Sequence, residues 1–255
     1  MTGSVRINRF LAEAGVAPRR KADILVAAGR VRINGNKAAT GDKVDPARDT
    51  VTVDGEPAAR IAEKVWYLLN KPAGYLSAVT DDRGRKTVIE LLPPTPGLFP
   101  VGRLDREVEG VLILTTDGDT AHRLTHPSFG ITKVYRVLVA GNFPDTVIRT
   151  LKNGIDIGGH TCRIIDAVVT GRDQTTTTVE LTLAEGRKHE VKELIKAVDR
   201  LLLRLERISF AGLTAQGLKP GEYRPLTPAE VEFLKKLTST QASPGSQSEH
   251  RTRRP

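Results

Sequence analysis

The chain has 255 residues, enough for one large domain and a small one, each with its own core and neither needing disulfides or metals for stability. Cys162 is the only cysteine, which excludes an intramolecular disulfide and a Cys-rich zinc site and agrees with a reducing compartment. Lys and Arg total 39 against 30 Asp and Glu, a net charge of +9 that favours polyanionic partners.

The opening MTGSVRINRF lacks the apolar core of a signal peptide, and no later apolar run is long enough to span a bilayer. A cytoplasmic protein with no membrane partner is expected. Basic charge is concentrated early: within residues 1–37, Arg6, Arg9, Arg19, Arg20, Lys21, Arg30, Arg32 and Lys37 face only Glu13 and Asp23.

From Ile7 onward, Ile7, Phe10, Leu11 and Ala14 recur at helical spacing until Gly15. A second helix is predicted to begin at Pro18, bury Ala22, Leu25 and Val26, and stop at Gly29. Arg19, Arg20 and Lys21 cluster at its start, where cations oppose the helix dipole; a bound phosphate would offset that cost. Val31 and Ile33 then alternate with Arg30 and Arg32 ahead of Asn34-Gly35, a strong hairpin signal. A solvated basic face on a structural unit would carry the same charges, but the misplaced cations and the order of elements favour RNA contact through Arg19, Arg20, Lys21 and Arg32. Residues 6–55 resemble the S4 RNA-binding domain, with its helix, Gly, basic helix start, Gly-Arg-Val and Asn-Gly in order.

The turn-rich stretch Asp54 to Arg60 lacks apolar periodicity and reads as a boundary, giving an S4-like unit over 1–57, a linker over 58–64 and a larger domain over 65–237. Val65 to Leu69 begins the second domain as a buried strand that ends at Asn70-Lys71-Pro72-Ala73-Gly74. Residues 80–87 are polar with a turn, and Val88 to Leu92 suggests one helical turn before Pro93-Pro94.

Residues 99–119 carry the chemistry. Val111 to Thr115 has the length and β-branched content of a strand buried on both faces, with Gly110 before it and Asp117-Gly118 after. Asp105 lies in the loop leading into that strand, with Arg103 and Arg106 as its local cations. By local context alone Asp105 fits a turn-capping residue better than a catalytic one.

This stretch resembles the signature of the RsuA/RluB family of ribosomal RNA pseudouridine synthases: Gly102-Arg103-Leu104-Asp105, Glu109-Gly110, a Leu-rich strand and Thr116-Asp117-Gly118. It departs at Val108, where Ser or Thr is common, and at Thr116, where Asn is common. Lys71-Pro72 matches the family's first motif, and Lys71 is expected to touch RNA. Lys133-Val134-Tyr135 resembles the strand that supplies the family's active-site tyrosine. Glu185 to Lys196 resembles its third motif and places Lys192 where the family has a basic residue, more often Arg, beside the catalytic aspartate.

The remaining elements are read from their patterns. His122 and His126 stand four apart, but Pro127 breaks such a helix, and no metal site is expected. Residues 145–152 read as a helix, 175–183 as a strand at the sheet edge, the stretch ending at Lys196 as a turn leading into a helix that buries Val191, Leu194, Ile195 and Val198, and 201–208 as a strand. A last helix spans 228–237, with Thr227 and Glu230 at capping-box spacing. Residues 238–255 form an expected disordered basic tail with Arg251, Arg253 and Arg254.

The resemblance implies an α+β fold, in which an S4-like domain precedes a catalytic domain built on a curved, largely antiparallel sheet flanked by helices. It implies isomerisation of a uridine in ribosomal RNA, 23S favoured over 16S, without a cofactor. Asp105 would be the catalytic carboxylate, acting as nucleophile or as base. Lys192 would hold it ionised, Tyr135 would stack on uracil, and Arg103 would brace the space the flipped nucleotide leaves. A monomer acting on ribosomal RNA or on an assembly intermediate is expected. Two other readings use the same residues: a noncatalytic S4-type ribosome-associated factor, and a glycoside hydrolase with Asp105 and Glu109 as its carboxylate pair.

Overall fold

The computed structural model describes residues 3–61 and 63–240. At the N-terminal end, α1 (Ile7–Glu13) and α2 (Arg19–Ala27) bury Ile7, Phe10, Leu11, Ala22 and Val26 against Val31, Val44 and Val51. Val31 and Val51 belong to a small antiparallel sheet of β1 (Val31–Ile33), β2 (Asn36–Lys37), β3 (Val51–Val53) and β4 (Glu56–Ala58), in the order β2-β1-β3-β4, and Val44 to a separate two-stranded pairing of Val5–Arg6 with Lys43–Val44.

Asn34 and Gly35 both adopt positive φ, as the predicted two-residue hairpin requires. Asp54 and Gly55 do the same, so the stretch read as a boundary is a second hairpin that adds β4 to the sheet. Asp-Gly carries the same turn signal as Asn-Gly, and the polar sequence of β4 hid the strand.

The larger unit is a nine-stranded mixed sheet. Its main path uses β5 (Trp66–Lys71), β6 (Glu109–Thr115), β7 (Lys133–Ala140), β8 (Asp166–Arg172), β9 (Thr176–Leu183), β10 (Leu202–Phe210) and β11 (Tyr223–Pro225), in the order β8-β9-β7-β10-β6-β5-β11. The two short strands Phe99–Pro100 and Leu213–Thr214 pair with β6 and β10. Strand β6 is buried on both faces as expected: Val111 and Ile113 join a core with α3 (Gly118–Thr125) and α6 (Pro228–Thr240), while Leu112 and Leu114 pack with Leu69, Val88 and Leu98. A third core lies under β7 and β9, covered by α4 (Asp145–Asn153) and α5 (Glu190–Ala197).

Two boundaries differ from expectation. The sheet edge is β8, whose alternating exposure gave no apolar run, and β9 lies one strand inside it. Helix α6 runs on to Thr240, and the buried Thr238 hydroxyl donates to the Leu234 and Lys235 carbonyls, so residues 238–240 are not a tail. Arg251, Arg253 and Arg254 lie outside the described residues.

The sheet's register builds the site. Strands β6 and β10 are parallel, with Gly110 beside Arg207 and Glu109 beside Glu206. Gly110 sits at φ +109°, and a Cβ there would lie 2.2 Å from the Arg207 carbonyl oxygen, so only glycine lets the two backbones approach this closely.

Candidate active site

Asp105 occupies the turn that feeds β6, where the Val108 amide donates to the Asp105 carbonyl at 3.1 Å. The segment after β5 pins this turn from below. Ser77 Oγ accepts from the Leu104 amide and donates to the Leu104 carbonyl, and the Gly74 amide donates to the Arg106 carbonyl. Lys71, expected on the RNA face, is instead fully buried. Its ammonium donates to the carbonyls of Pro72, Asp105, Arg106 and Val108 at 2.8–3.2 Å. Burial pulls its pKa down to about 8, partly opposed by Glu107, Glu109 and Asp105. A side chain that satisfies the inner carbonyls of a loop has no free donor for a phosphate.

The side chains that meet the Asp105 carboxylate come from α5 and the residue before it. Lys192 Nζ lies 2.9 Å from Asp105 Oδ2, and His189 Nε2 lies 3.4 Å from Oδ1. Neither local arginine does this: Arg106 donates to the Gly74 carbonyl, and Arg103 is exposed on the pocket rim. His189 adopts a left-handed φ of +58° at the N-terminus of α5, which turns the chain so that the first turn of the helix faces the Asp105 loop. Burial alone would lower the Lys192 pKa, but hydrogen bonding and charge from Asp105, with Glu107 beyond, hold it above its ordinary value.

Asp105, Lys192 and His189 open onto a pocket of about 100 Å³ whose walls include Tyr135, Val108 and Leu205. Tyr135 projects from the inward face of β7, directly across from Arg207 on β10. Lys133, two residues along the same face, is buried and donates to the Ile131 and Ala184 carbonyls. Burial and the nearby Arg207 charge push its pKa down to about 8. Glu190 is also buried, which raises its pKa, and one of its oxygens caps the Arg187 amide.

Glu109 faces Arg204 at 2.8 Å, so the second carboxylate of the glycosidase reading is held in a surface ion pair. His126 hydrogen-bonds Ser128 at the start of a short 3-10 turn. Arg19, Arg20, Lys21 and Arg32 are exposed on the small domain. Arg19 also lines a cleft between the two domains that reaches Gly102 and Thr125, which line the Asp105 pocket as well.

Sequence reading did not single out Ser77, His189, Lys133, Glu190 or Arg207. Arg207 did carry a signal: a charged residue at an inward-facing position of an apolar strand.

A family model described as RNA pseudouridylate synthase matches residues 65–197, and an S4 domain model matches residues 5–51. The chain belongs to the RNA pseudouridylate synthase family. This synthase is 40% identical over 243 residues to an uncharacterized RNA pseudouridine synthase of Aquifex aeolicus (strain VF5), covering 94% of this chain and 97% of that one. It is 37% identical to ribosomal large subunit pseudouridine synthase B of Bacillus subtilis (strain 168), covering 91% and 96%. A crystal structure of a pseudouridylate synthase superposes with a TM-score of 0.64 at 29% identity, over 91% of this synthase and 100% of that chain. Fold class, S4 domain and isomerase chemistry on RNA, which the motif resemblance implied, therefore hold for this synthase.

Proposed function

We propose that this synthase isomerises a uridine of large-subunit ribosomal RNA to pseudouridine, with Asp105 as its catalytic carboxylate. The observation that carries the residue assignment is the Asp105–Lys192 ion pair at 2.9 Å, set at the mouth of a pocket walled by Tyr135. The large-subunit target rests on the similarity to the Bacillus subtilis enzyme named for that subunit.

In this reading the bond from ribose C1′ to uracil N1 breaks, the uracil turns, C1′ bonds to C5, and the proton that C5 then loses is matched by one taken up at N1. Atoms and charge balance without a consumed reagent, and no cofactor takes part. Asp105 acts at the sugar, as nucleophile on C1′ or as base on C2′. Lys192 and His189 hold the carboxylate in place, and Tyr135 stacks on the turning base. The target nucleotide must leave its stack, at a few kcal/mol of unstacking, and in this reading Arg103, which lines the pocket, fills the gap. Exposed cations of the small domain add sequence-independent affinity.

Carbodiimide-based pseudouridine mapping of ribosomal RNA from cells lacking the protein tests this, with complementation by wild type or Asp105→Asn. One missing site in 23S RNA, restored by wild type alone, is expected. An unchanged map would leave a binding factor, a missing site in 16S RNA would move the target, and rescue by Asp105→Asn would remove Asp105 from the chemistry.

A further inference from the structure

Arg207 is a cation that the interior gives little reason to keep. It is 2% exposed, its Nε donates to the Val111 carbonyl at 2.8 Å, and its guanidinium lies 4.8 Å from the centre of the Phe210 ring. Nη2 is buried without a hydrogen-bond partner, and no carboxylate pairs with the group among the described residues. An uncompensated buried charge costs several kcal/mol, and an apolar side chain of similar size would fill the space more favourably. The burial depresses its pKa, and the one side chain acting in the opposite direction is the Tyr135 hydroxyl.

Cross-strand pairing explains that partnership. Tyr135 and Arg207 are register partners on β7 and β10, both side chains on the face that lines the Asp105 pocket. The Arg207 backbone is locked in turn by its close approach to Gly110, in the strand that Asp105's loop feeds. The guanidinium is therefore fixed relative to the carboxylate as well as to the phenol.

We infer that Arg207 is a positioning residue for Tyr135, its guanidinium donating to the phenolic oxygen so that the O–H points into the pocket toward the bound base. A guanidinium has donors only, so the phenol must accept from it, and its hydrogen is left for the pocket. The same contact holds the ring at a fixed tilt for stacking. This inference rests on the uridine-isomerising reading above.

The test is a double-mutant cycle on the full-length protein, using an RNA fragment that carries the mapped target uridine. Arg207→Gln is expected to lower kcat by about 10- to 100-fold while KM stays within about twofold, because orientation and not RNA affinity is lost. Arg207→Lys should recover part of that loss. In a Tyr135→Phe background Arg207→Gln should cost less than about threefold, since the oxygen it orients is gone. Losses that multiply in the double variant would overturn the inference and make Arg207 purely structural. If Arg207 variants do not fold, Tyr135→Phe alone decides: an unchanged kcat leaves Arg207 nothing to act through. Wild-type protein inactive on every ribosomal RNA would instead overturn the functional reading, and the inference with it.

Discussion

The Lys71 ammonium lies beneath the loop that bears Asp105 and donates to the Asp105 carbonyl at 3.2 Å and the Val108 carbonyl at 2.8 Å. Lys71→Met leaves those carbonyls without a donor, so a loss of about 1–3 kcal/mol in urea unfolding is expected. Turnover should fall with the misplaced loop while RNA affinity by filter binding stays at the wild-type value. Weakened RNA binding with full turnover would return Lys71 to the RNA face.

Lys192 touches both Asp105 and Glu107, so its removal leaves two carboxylates facing each other with only His189 nearby. Lys192→Met should reduce kcat by about 100-fold or more, a loss in the range of other positioned charge interactions in active sites. Lys192→Arg keeps the charge and should retain most activity. Equal loss in both variants, measured in single turnover, would argue that geometry and not charge is what matters.

Gly110→Ala places a methyl against the Arg207 carbonyl at a backbone angle that alanine avoids. Destabilisation of at least about 3 kcal/mol is expected from urea midpoints, since β6 and β10 are each paired on both sides within the sheet and neither can retreat.

The Lys133 pKa is about 8 in the folded chain, against 10.5 for an unperturbed lysine. Below both values each state is protonated and the native state bears the full cost of the buried cation. Between them the unfolded chain holds a proton that the native chain has released, so stability rises with pH. Relative to Lys133→Met, wild type should gain on the order of 1 kcal/mol per pH unit from about pH 8 to about pH 10. A flat difference across that range would mean that Lys133 stays charged.

Arg19, Arg20, Lys21 and Arg32 are exposed on the small domain, away from the Asp105 pocket's walls except through the shared cleft. Replacing each by Ala should weaken RNA binding and lower the slope of log K against log salt by about 0.7 to 0.9 for each phosphate no longer neutralised. The kcat at saturating RNA should not change. A variant that lowers kcat with an unaltered salt slope would exclude phosphate binding at that position.

Much of this synthase was legible without coordinates, because the signals are local. Apolar spacing marked α1, α2, β6 and α5, Asn34-Gly35 marked its hairpin, and the Gly102 to Asp105 motif singled out the carboxylate. Strands β4 and β8 escaped because their polar or alternating sequences carry little periodicity of their own and are held by pairing with β3 and β9. The motif also named Lys192, yet distance along the chain could not say that Lys192 and His189, rather than Arg103 and Arg106, meet the carboxylate. Nor could it say that Lys71 turns inward or that Arg207 is buried across from Tyr135 with its Nη2 left without a partner. Those are decisions of the sheet: strand order and register bring β5, β6, β7 and β10 side by side, and which charges are buried together depends on pairings that no window of sequence contains.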